Sequence, residues 1–356
     1  MSRGPVLIMA GGTGGHIFPG LAVAEALRAE GAAVAWLGAR GGMEARLVAA
    51  HGMEPHLIDV HGLRGSGWRR RLGAPWMLLR ATWSALRLLR RLRPRCVLSM
   101  GGYVAGPGGL AAWLLRRPLV VHEQNSVAGG TNRVLARLAR TILCGFRGSL
   151  PGGRWVGNPV RATIAALPPP GRRLAERDGQ PRLLVIGGSR GARALNEVVP
   201  PALAVIEPAR RPQVWHQCGA AELDATRAAY AAAGIEARID PFIDDMTGAW
   251  GWADLALCRA GALTLAELCA AGLGAILVPY PHAVDDHQTA NARALVEQGA
   301  ALLLPQPQLE PIALAQQLQA LLADRARLLA MAEAAHRLAR LHAAEVIAEC
   351  CLEVAP

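Results

Sequence analysis

Two short apolar runs, each followed directly by a glycine-rich loop and a helical pattern, constrain the fold of this chain more than any other feature. Val6–Ala10 leads into Gly11–Gly15, and Leu183–Ile186 leads into Gly187–Gly191. A parallel strand that is buried on both faces has such a continuous apolar run, and glycines allow the next turn to approach a ligand closely. We therefore expect an α/β protein with two Rossmann-like, doubly wound domains.

Further patterns fill in both predicted domains. A helix is expected from Pro19 to Leu27 and another from Pro75 to Arg93, because proline favours the first turn of a helix. Pro311–Leu352 should be almost all helix, with a break near Ala323. The linker-like stretch Gly157–Gly171 predicts a domain boundary at about residue 160. The strands that we expect are Val34–Leu37, Cys96–Met100, Leu119–Val121, Thr141–Cys144, Gln213–His216, Ala237–Ile239, Leu255–Cys258, Ala275–Val278 and Ala301–Leu304.

The charge of the chain narrows the class of its ligands without choosing one. The formal net charge is +11, and all 38 basic residues are arginine. Such a balance suits phosphorylated ligands, anionic lipid or nucleic acid. The seven cysteines show no C-x-x-C spacing, so we expect a reduced set without a metal knuckle. Cys96–Leu115 is uncharged over about the length of a membrane span, but its glycines and proline predict strand, loop and helix instead.

A basic segment interrupts the first predicted domain. The glycine- and arginine-rich loop from residue 61 to residue 71 is followed by the helix Pro75–Arg93. On a helical wheel Arg80, Arg87, Arg90 and Arg91 share one arc with Trp76 and Trp83, opposite Leu78, Ala81, Ala85, Leu88, Leu89 and Leu92. This arrangement is typical of a helix at a membrane surface, or of a surface helix with solvated arginines. Nucleic acid is least favoured, because aromatic stacking residues are scarce elsewhere.

The second predicted domain has the groups that a nucleotide sugar requires. The N-terminus of a helix at Ala262 suits a phosphate, and Glu267 can accept hydrogen bonds from a vicinal diol such as a ribose. Gln288 offers a donor and an acceptor to sugar hydroxyls. Ser189 and neighbouring N–H groups can hold a phosphate, and the backbone at Ile243 can pair with a base edge.

His16 is the best candidate for a general base, because it ends a glycine loop and its ordinary pKa is near neutrality. A histidine that only caps the following helix is the alternative. The chain has no Asp-x-Asp pair, and Asp285–His287 is a poor metal site because adjacent side chains diverge. We therefore expect no metal and no cofactor. Glycine-loop N–H groups, helix N-termini and Arg161 are then the donors available to a leaving diphosphate.

Five blocks of this sequence together resemble the MurG family of bacterial transferases. Members of this family add N-acetylglucosamine from its UDP derivative to undecaprenyl-pyrophosphoryl-N-acetylmuramoyl-pentapeptide, or lipid I, and so make lipid II for peptidoglycan. The resemblance runs from Val6 to beyond Ala292. The blocks are Gly11–Pro19, His122–Asn125, Gly157–Arg161, Gly187–Ala192 and Gly261–Thr264.

The resemblance implies a GT-B fold, in which two Rossmann-like domains face each other across a cleft. Residues 1–160 would form the acceptor and membrane-associated domain, together with a last helix from about 339 to 356 that packs back on it. Residues 161–338 would form the UDP-sugar donor domain. The family works at the cytoplasmic face of the bacterial inner membrane as a peripheral protein, which favours an anionic membrane surface as a partner of the basic segment.

The resemblance also implies roles for single residues. Ile243 would read uracil through its backbone, Glu267 would hold the ribose, and Ser189 and Arg161 would serve the diphosphate. His16 would deprotonate the acceptor C4 hydroxyl for an inverting, metal-independent attack, so His16 and Glu267 are the expected catalytic residues. The residues expected to line the sugar and the acceptor side are Thr13, Gly14, Gly15, Asn125, Ala262, Leu263, Thr264 and Gln288.

The chain departs from the family pattern at three positions: Arg190 stands where glutamine is usual, and Ala260 and Ala266 stand where serine is common. Two other classes of protein stay open. One is a different enzyme of the same fold, either another lipid-directed glycosyltransferase or a nucleotide-sugar epimerase. The other is a protein that binds a nucleotide sugar or a lipid without catalysis.

Overall fold

The structure is a computed structural model, and it describes residues 4–61, 68–175, 177–188 and 191–355. Every strand pair in this part of the chain is parallel, and the strands form two sheets. The strands are β1 Val6–Ala10, β2 Val34–Ala39, β3 Pro55–Ile58, β4 Cys96–Gly101, β5 Leu119–Glu123, β6 Thr141–Cys144, β7 Arg154–Trp155, β8 Arg182–Ile186, β9 Gln213–Gln217, β10 Arg238–Asp240, β11 Leu255–Cys258, β12 Gly274–Leu277 and β13 Ala301–Leu303.

Helices connect the strands throughout the described residues. The α-helices are α1 Gly14–Ala29, α2 Glu44–Ala50, α3 Trp68–Leu92, α4 Ala105–Leu114, α5 Gly130–Leu135, α6 Ala162–Ala165, α7 Pro170–Ala175, α8 Arg193–Val205, α9 Leu223–Ala232, α10 Met246–Trp252, α11 Ala262–Ala271, α12 His287–Val296, α13 Pro311–Leu322, α14 Arg325–Leu338 and α15 Ala343–Glu353. Short 3₁₀ turns lie at Pro208–Arg210, Ala220–Glu222, Val284–Asp286 and Gln306–Gln308.

The chain divides into two compact units. The described parts of Met1–Val160 and His342–Pro356 form the first unit, and Arg161–Leu341 forms the second. In the first unit the strand order is β3-β2-β1-β4-β5-β6-β7, with the crossover order of a Rossmann sheet. Apolar side chains fill both faces of this sheet. On one face α15 packs against α1 and contributes Ile347 and Cys351 to the core, although it comes from the end of the chain.

The second unit repeats the same plan with a sheet of order β10-β9-β8-β11-β12-β13. Its core includes Leu183 and Val185 from β8 together with leucines of α8 and α13. The prediction of two doubly wound Rossmann-like domains is therefore confirmed. Several strands have the predicted bounds, because their apolar runs are buried on both faces of a parallel sheet.

Some predicted boundaries were wrong. α1 begins at Gly14 within the glycine loop, and Pro19 is an interior residue of this helix and not its first turn. α3 begins at Trp68, before the predicted Pro75. The break near Ala323 is present, and a second break separates α14 from α15. Leu78 was predicted on the packed face of α3 but is exposed, whereas Ala81, Ala85, Leu88 and Leu89 are buried as expected.

Candidate functional site

The N-terminus of α1 carries the first group of predicted site residues. Thr13 is extended, with φ −136° and ψ 157°, and its carbonyl accepts hydrogen bonds from the N–H groups of His16 at 3.1 Å and Ile17 at 3.3 Å. Gly14 and Gly15 are the first two helical residues, and the first turn has no acidic side chain. The first N–H groups of a helix have no partner inside it, so this end favours an anionic or oxyanionic ligand.

The His16 ring is held by Gln124, the residue that directly follows β5. Its Nδ1 lies 3.0 Å from Oε1 of Gln124, a buried residue directly after β5. Nε2 of Gln124 lies 3.0 Å from Nδ1 of His122, and Nε2 of His122 lies 2.9 Å from the carbonyl oxygen of Gly157. Burial lowers the pKa of His122 to about 4, so this ring is neutral at physiological pH. His16 is therefore the partly exposed end of a buried polar chain.

Glu123 is the last residue of β5 and is buried, so the predicted end of this strand at Val121 was two residues too early. Its Oε1 accepts from the N–H of Asn125 at 3.0 Å, and its Oε2 accepts from the N–H of Gly129 at 3.1 Å. Oε2 also accepts from Nδ2 of Asn132 at 3.0 Å. The carboxylate thus shapes the loop that carries Asn125 and is not itself presented to a ligand.

In the second unit Glu267 is paired on both of its oxygens. Oε1 accepts from Nε of Arg161 at 3.0 Å and from its Nη2 at 2.8 Å, and Oε2 accepts from Nε1 of Trp250 at 3.1 Å. The Arg161 side chain is 50% exposed and the Glu267 side chain 16%. Two residues with separately predicted roles, one for diphosphate and one for ribose, are thus in direct contact.

The other predicted donor residues lie at two helix N-termini. Ala262, Leu263 and Thr264 form the first turn of α11, which follows Gly261 and ends at Gly272 in the left-handed conformation. Gln288 is the second residue of α12, and its Oε1 accepts from the N–H of Tyr280 at 2.9 Å. Because Oε1 is used in this way, the NH₂ group is the part of the Gln288 amide that can donate to a ligand.

Loops complete this unit's predicted site. Ile243 is buried in the loop between β10 and α10, where Asp245 caps α10 by accepting from the N–H of Gly248 at 2.8 Å. Asp285 and Asp286, just before α12, have positive φ values of 54° and 49°. Non-glycine residues adopt this conformation at an energetic cost and are frequent at ligand sites.

The second glycine loop is held close to its neighbouring strand. Gly191 has φ +74°, and a Cβ atom there would lie 1.9 Å from the carbonyl oxygen of Cys218. Nε2 of Gln217 donates to the carbonyl of Gly188 at 3.0 Å. Ser189, predicted to bind the diphosphate, and Arg190 lie outside the described residues.

Three residues of this polar framework had no predicted role: Gln124, Asn132 and Trp250. Gln124 stood within a motif, but its contact with His16 joins positions 108 residues apart. Trp250 is fully buried, and a buried indole N–H needs a hydrogen-bond acceptor. Within the described part of the chain, no group of three or more histidine, cysteine or acidic side chains is arranged to hold a metal ion.

Comparisons with known proteins identify the family. Residues 6–144 match the glycosyltransferase family 28 N-terminal domain, and residues 182–349 match the C-terminal domain of the same family. A protein of Alkalilimnicola ehrlichii is 59% identical over 353 residues, which is 99% of each chain. One of Nitrosococcus oceani is 57% identical over 98% of each chain. Both are named UDP-N-acetylglucosamine--N-acetylmuramyl-(pentapeptide) pyrophosphoryl-undecaprenol N-acetylglucosamine transferase.

Solved structures agree with this assignment. The crystal structure of Acinetobacter baumannii MurG matches with a TM-score of 0.88 and 42% identity, and the match covers 99% of this chain and 100% of that one. The calicheamicin glycosyltransferase CalG4 matches with a TM-score of 0.69 but only 18% identity, which supports the GT-B fold alone. From its sequence, its two domains and these relatives, the chain belongs to the MurG family of glycosyltransferases.

Proposed function

We propose that this chain transfers N-acetylglucosamine from UDP-N-acetylglucosamine to the C4 hydroxyl of the undecaprenyl-linked N-acetylmuramoyl-pentapeptide, lipid I. The observation that carries the proposal is the shared name of relatives that are 57–59% identical over almost the whole of both chains. At such identity and coverage, donor and acceptor class are the properties expected to be shared. The arrangement of polar groups in each unit is compatible with this reaction.

The second unit is the proposed donor domain. Glu267 would accept hydrogen bonds from the ribose hydroxyls, and the backbone of Ile243 would pair with uracil. The N–H groups of the first turn of α11, at Ala262, Leu263 and Thr264, would face the diphosphate and the sugar with partial positive charge. Ser189 and Arg161 would add donors to the diphosphate, and the NH₂ group of Gln288 would donate to a sugar hydroxyl.

The first unit is the proposed acceptor domain. Ring Nε2 of His16 would take the proton of the acceptor C4 hydroxyl, and the resulting oxygen nucleophile would form a bond to the anomeric carbon. The bond from that carbon to the UDP oxygen breaks on the opposite face, so the configuration inverts. The N–H groups of Gly14 and Gly15, with Thr13 and Asn125, would line the reacting groups. Charge that develops on the diphosphate would be stabilised by backbone and guanidinium donors, without a metal or a cofactor.

A transfer assay tests this activity directly. The protein is incubated with labelled UDP-N-acetylglucosamine and a short-chain lipid I analogue, with and without EDTA. We expect acceptor-dependent product in both arms. Absence of transfer would overturn the proposed activity, and loss of transfer with EDTA would overturn its metal-free mechanism. Donor turnover without acceptor would instead indicate an epimerase or hydrolase. His16→Ala should lower kcat by about 10²–10⁴-fold, the usual contribution of a general base.

We also propose that α3 and α4 attach this enzyme peripherally to the cytoplasmic face of the bacterial inner membrane. On α3 the Trp76 side chain is 65% exposed and Trp83 51%, and the guanidinium of Arg87 lies 5.2 Å from the centre of the Trp83 ring. α4 packs against α3 and carries exposed Trp113 and Leu114. Exposed tryptophans beside arginines suit the interface of an anionic bilayer, where each arginine near the surface contributes about 1 kcal/mol.

The basic loop before α3 was also predicted to bind lipid. Gly62–Gly67 lies outside the described residues, as do the side chains of Arg69, Arg70 and Arg71. No helix in the described ranges has both the length and the apolar character needed to cross a membrane.

Vesicle co-sedimentation tests this attachment. We expect native protein to bind vesicles that contain phosphatidylglycerol, less at high salt, and to bind phosphatidylcholine vesicles weakly. The double variant Trp76→Ala/Trp83→Ala should lose most binding. Ile312→Ala is the matched control, because Ile312 is 63% exposed but belongs to the other unit. Equal binding by the double variant and the control would contradict the proposed surface.

A further inference from the structure

A continuous chain of hydrogen bonds joins the carbonyl of Gly157 to the ring of His16. It passes through His122 and Gln124, and its three links are 2.9, 3.0 and 3.0 Å long. His122 is completely buried, and Gln124 is almost completely buried. Each link needs one donor and one acceptor, so a single fixed end determines the direction of the whole chain.

The fixed end is the carbonyl oxygen of Gly157, which can only accept. Nε2 of His122 must therefore carry a proton and donate it to this oxygen. Because the buried ring is neutral, its Nδ1 has no proton and must accept. The tautomer of His122 is thus set by the backbone of the Gly157 turn.

The orientation of the Gln124 amide follows from the tautomer of His122. The atom that faces Nδ1 of His122 must be a donor, which is Nε2 of the amide. The same NH₂ group donates to the carbonyl of His122 at 3.1 Å, so two acceptors independently require this orientation. The backbone of Gln124 is also held, since its carbonyl accepts from Nδ2 of Asn158 at 2.9 Å. Its Oε1 is therefore directed at His16 and can only accept.

We propose that Gln124 is a positioning residue that holds neutral His16 as the Nδ1–H tautomer and so leaves the Nε2 lone pair as the proton acceptor. This inference rests on the base role of His16 in the proposed function. In the transfer step the C4 O–H bond breaks, an Nε2–H bond forms, and Nδ1–H remains donated to Oε1 of Gln124. Gln124 is a neutral amide without a titratable group, so the proton stays on His16 until it is released to solvent.

The tautomer can be read directly by ¹⁵N NMR of the full-length protein labelled at histidine. Spectra are recorded at about pH 8.5, two units above the ordinary histidine pKa of about 6.5. The His16 signals are identified by their loss in His16→Gln. We expect protonated Nδ1 and unprotonated Nε2 in the native protein. A native His16 that carries its proton on Nε2 would overturn the proposal, and this spectrum requires no variant of Gln124.

The chain supplies internal references for both tautomers. Nδ1 of His51 donates to the carbonyl of Leu47 at 2.9 Å, and Nδ1 of His287 donates to the carbonyl of Val284 at 2.7 Å. Both rings should therefore show protonated Nδ1, whereas His122 should show protonated Nε2. In Gln124→Leu, the Nε2–H form of His16 should appear while His51 and His287 stay unchanged. An unchanged His16 tautomer in this variant would contradict control by Gln124.

Steady-state kinetics distinguish a positioning role of Gln124 from general damage to the fold. Gln124→Leu should lower kcat by about 10–100-fold, while KM for UDP-N-acetylglucosamine stays within about twofold. The double variant His16→Gln/Gln124→Leu should be no slower than His16→Gln, because the two residues act as one unit. Suppose that His16→Gln retains full transfer activity and that native His16 is the Nδ1–H tautomer. The base role of His16 would then be removed from the proposed function, whereas the tautomer assignment would stand.

Discussion

Replacing Glu267 with glutamine tests the proposed donor site most sharply, because the two carboxylate oxygens accept from different donors. Oε1 accepts from Arg161 and Oε2 from Nε1 of Trp250. A glutamine has only one oxygen, so its NH₂ group must face either the guanidinium or the indole N–H, and both of these are donors. The substitution therefore keeps the shape of the side chain but breaks one of the two contacts.

The burial of the partners decides which contact is lost. Trp250 is fully buried, and an unpartnered Nε1–H there would cost about 1–3 kcal/mol. The Arg161 side chain is 50% exposed and can bond to water, so the loss of its ion pair with Glu267 costs about 0–1 kcal/mol of stability. We expect the amide oxygen to face Trp250 and the NH₂ group to face Arg161. Unfolding midpoints should fall least for Arg161→Gln and most for Glu267→Ala, with Glu267→Gln between them.

The expected loss of donor binding is larger than the loss of stability. If the Glu267 carboxylate accepts from a ribose hydroxyl, the amide loses a charge-assisted hydrogen bond of about 1.5–3 kcal/mol, which raises KM for the donor about 10–150-fold. Because this contact exists in the ground state as well as in the transition state, kcat should change much less. Thermal unfolding and steady-state kinetics measure the two effects. The reasoning would be refuted if Glu267→Gln were destabilised as much as Glu267→Ala and had an unchanged KM for the donor.

Two further predictions concern stability. Burial lowers the pKa of His122 to about 4 and that of His216 to about 3, below the unfolded value of about 6.5, so the unfolded chain binds more protons and stability falls as pH falls below 6.5. Each histidine should remove about 2 kcal/mol between pH 7 and pH 5, measured by equilibrium denaturation, and His216→Gln should flatten this slope. Gly191→Ala should destabilise more than Gly234→Ala, since both have positive φ but only the first meets a carbonyl oxygen. Equal unfolding midpoints would contradict that steric argument.

Most strands could be predicted from the sequence because they are local apolar runs, whereas β7, Arg154–Trp155, is not such a run and was missed. β1, β6 and β11 have the predicted bounds, and a parallel strand buried on both faces needs no information from distant residues. The start of α1 could not be found in this way. Gly14 and Gly15 have low helix propensity, and Pro19 is a usual first-turn residue, so both local signals favoured a later start. The helix begins earlier, where the carbonyl of Thr13 accepts its first hydrogen bonds.

The contacts within the candidate site depend on residues far apart in the chain. Arg161 and Glu267 are separated by 106 positions, and His16 and Gln124 by 108. The residue types of Glu267 and His16 suited the predicted roles of diol acceptor and general base. The sequence pattern does not show which group each side chain contacts. The buried role of Glu123 was missed for a related reason. A carboxylate just past the predicted strand resembles a group that binds a ligand, and only the hydrogen-bond donors around it show that it is used internally.

The pairing of Arg161 with Glu267 also joins two residues whose proposed roles in donor recognition the sequence treated as separate. A guanidinium has five N–H donors, and Arg161 presents its Nε and Nη2 groups to Oε1 of Glu267. Its Nη1 group is not used in this contact and, in the proposed function, would donate to the diphosphate. A lysine has no planar fork with which to do both. Arg161→Lys should therefore weaken donor binding although the charge is kept, and it should do so far less in Glu267→Ala, where the arginine is no longer oriented.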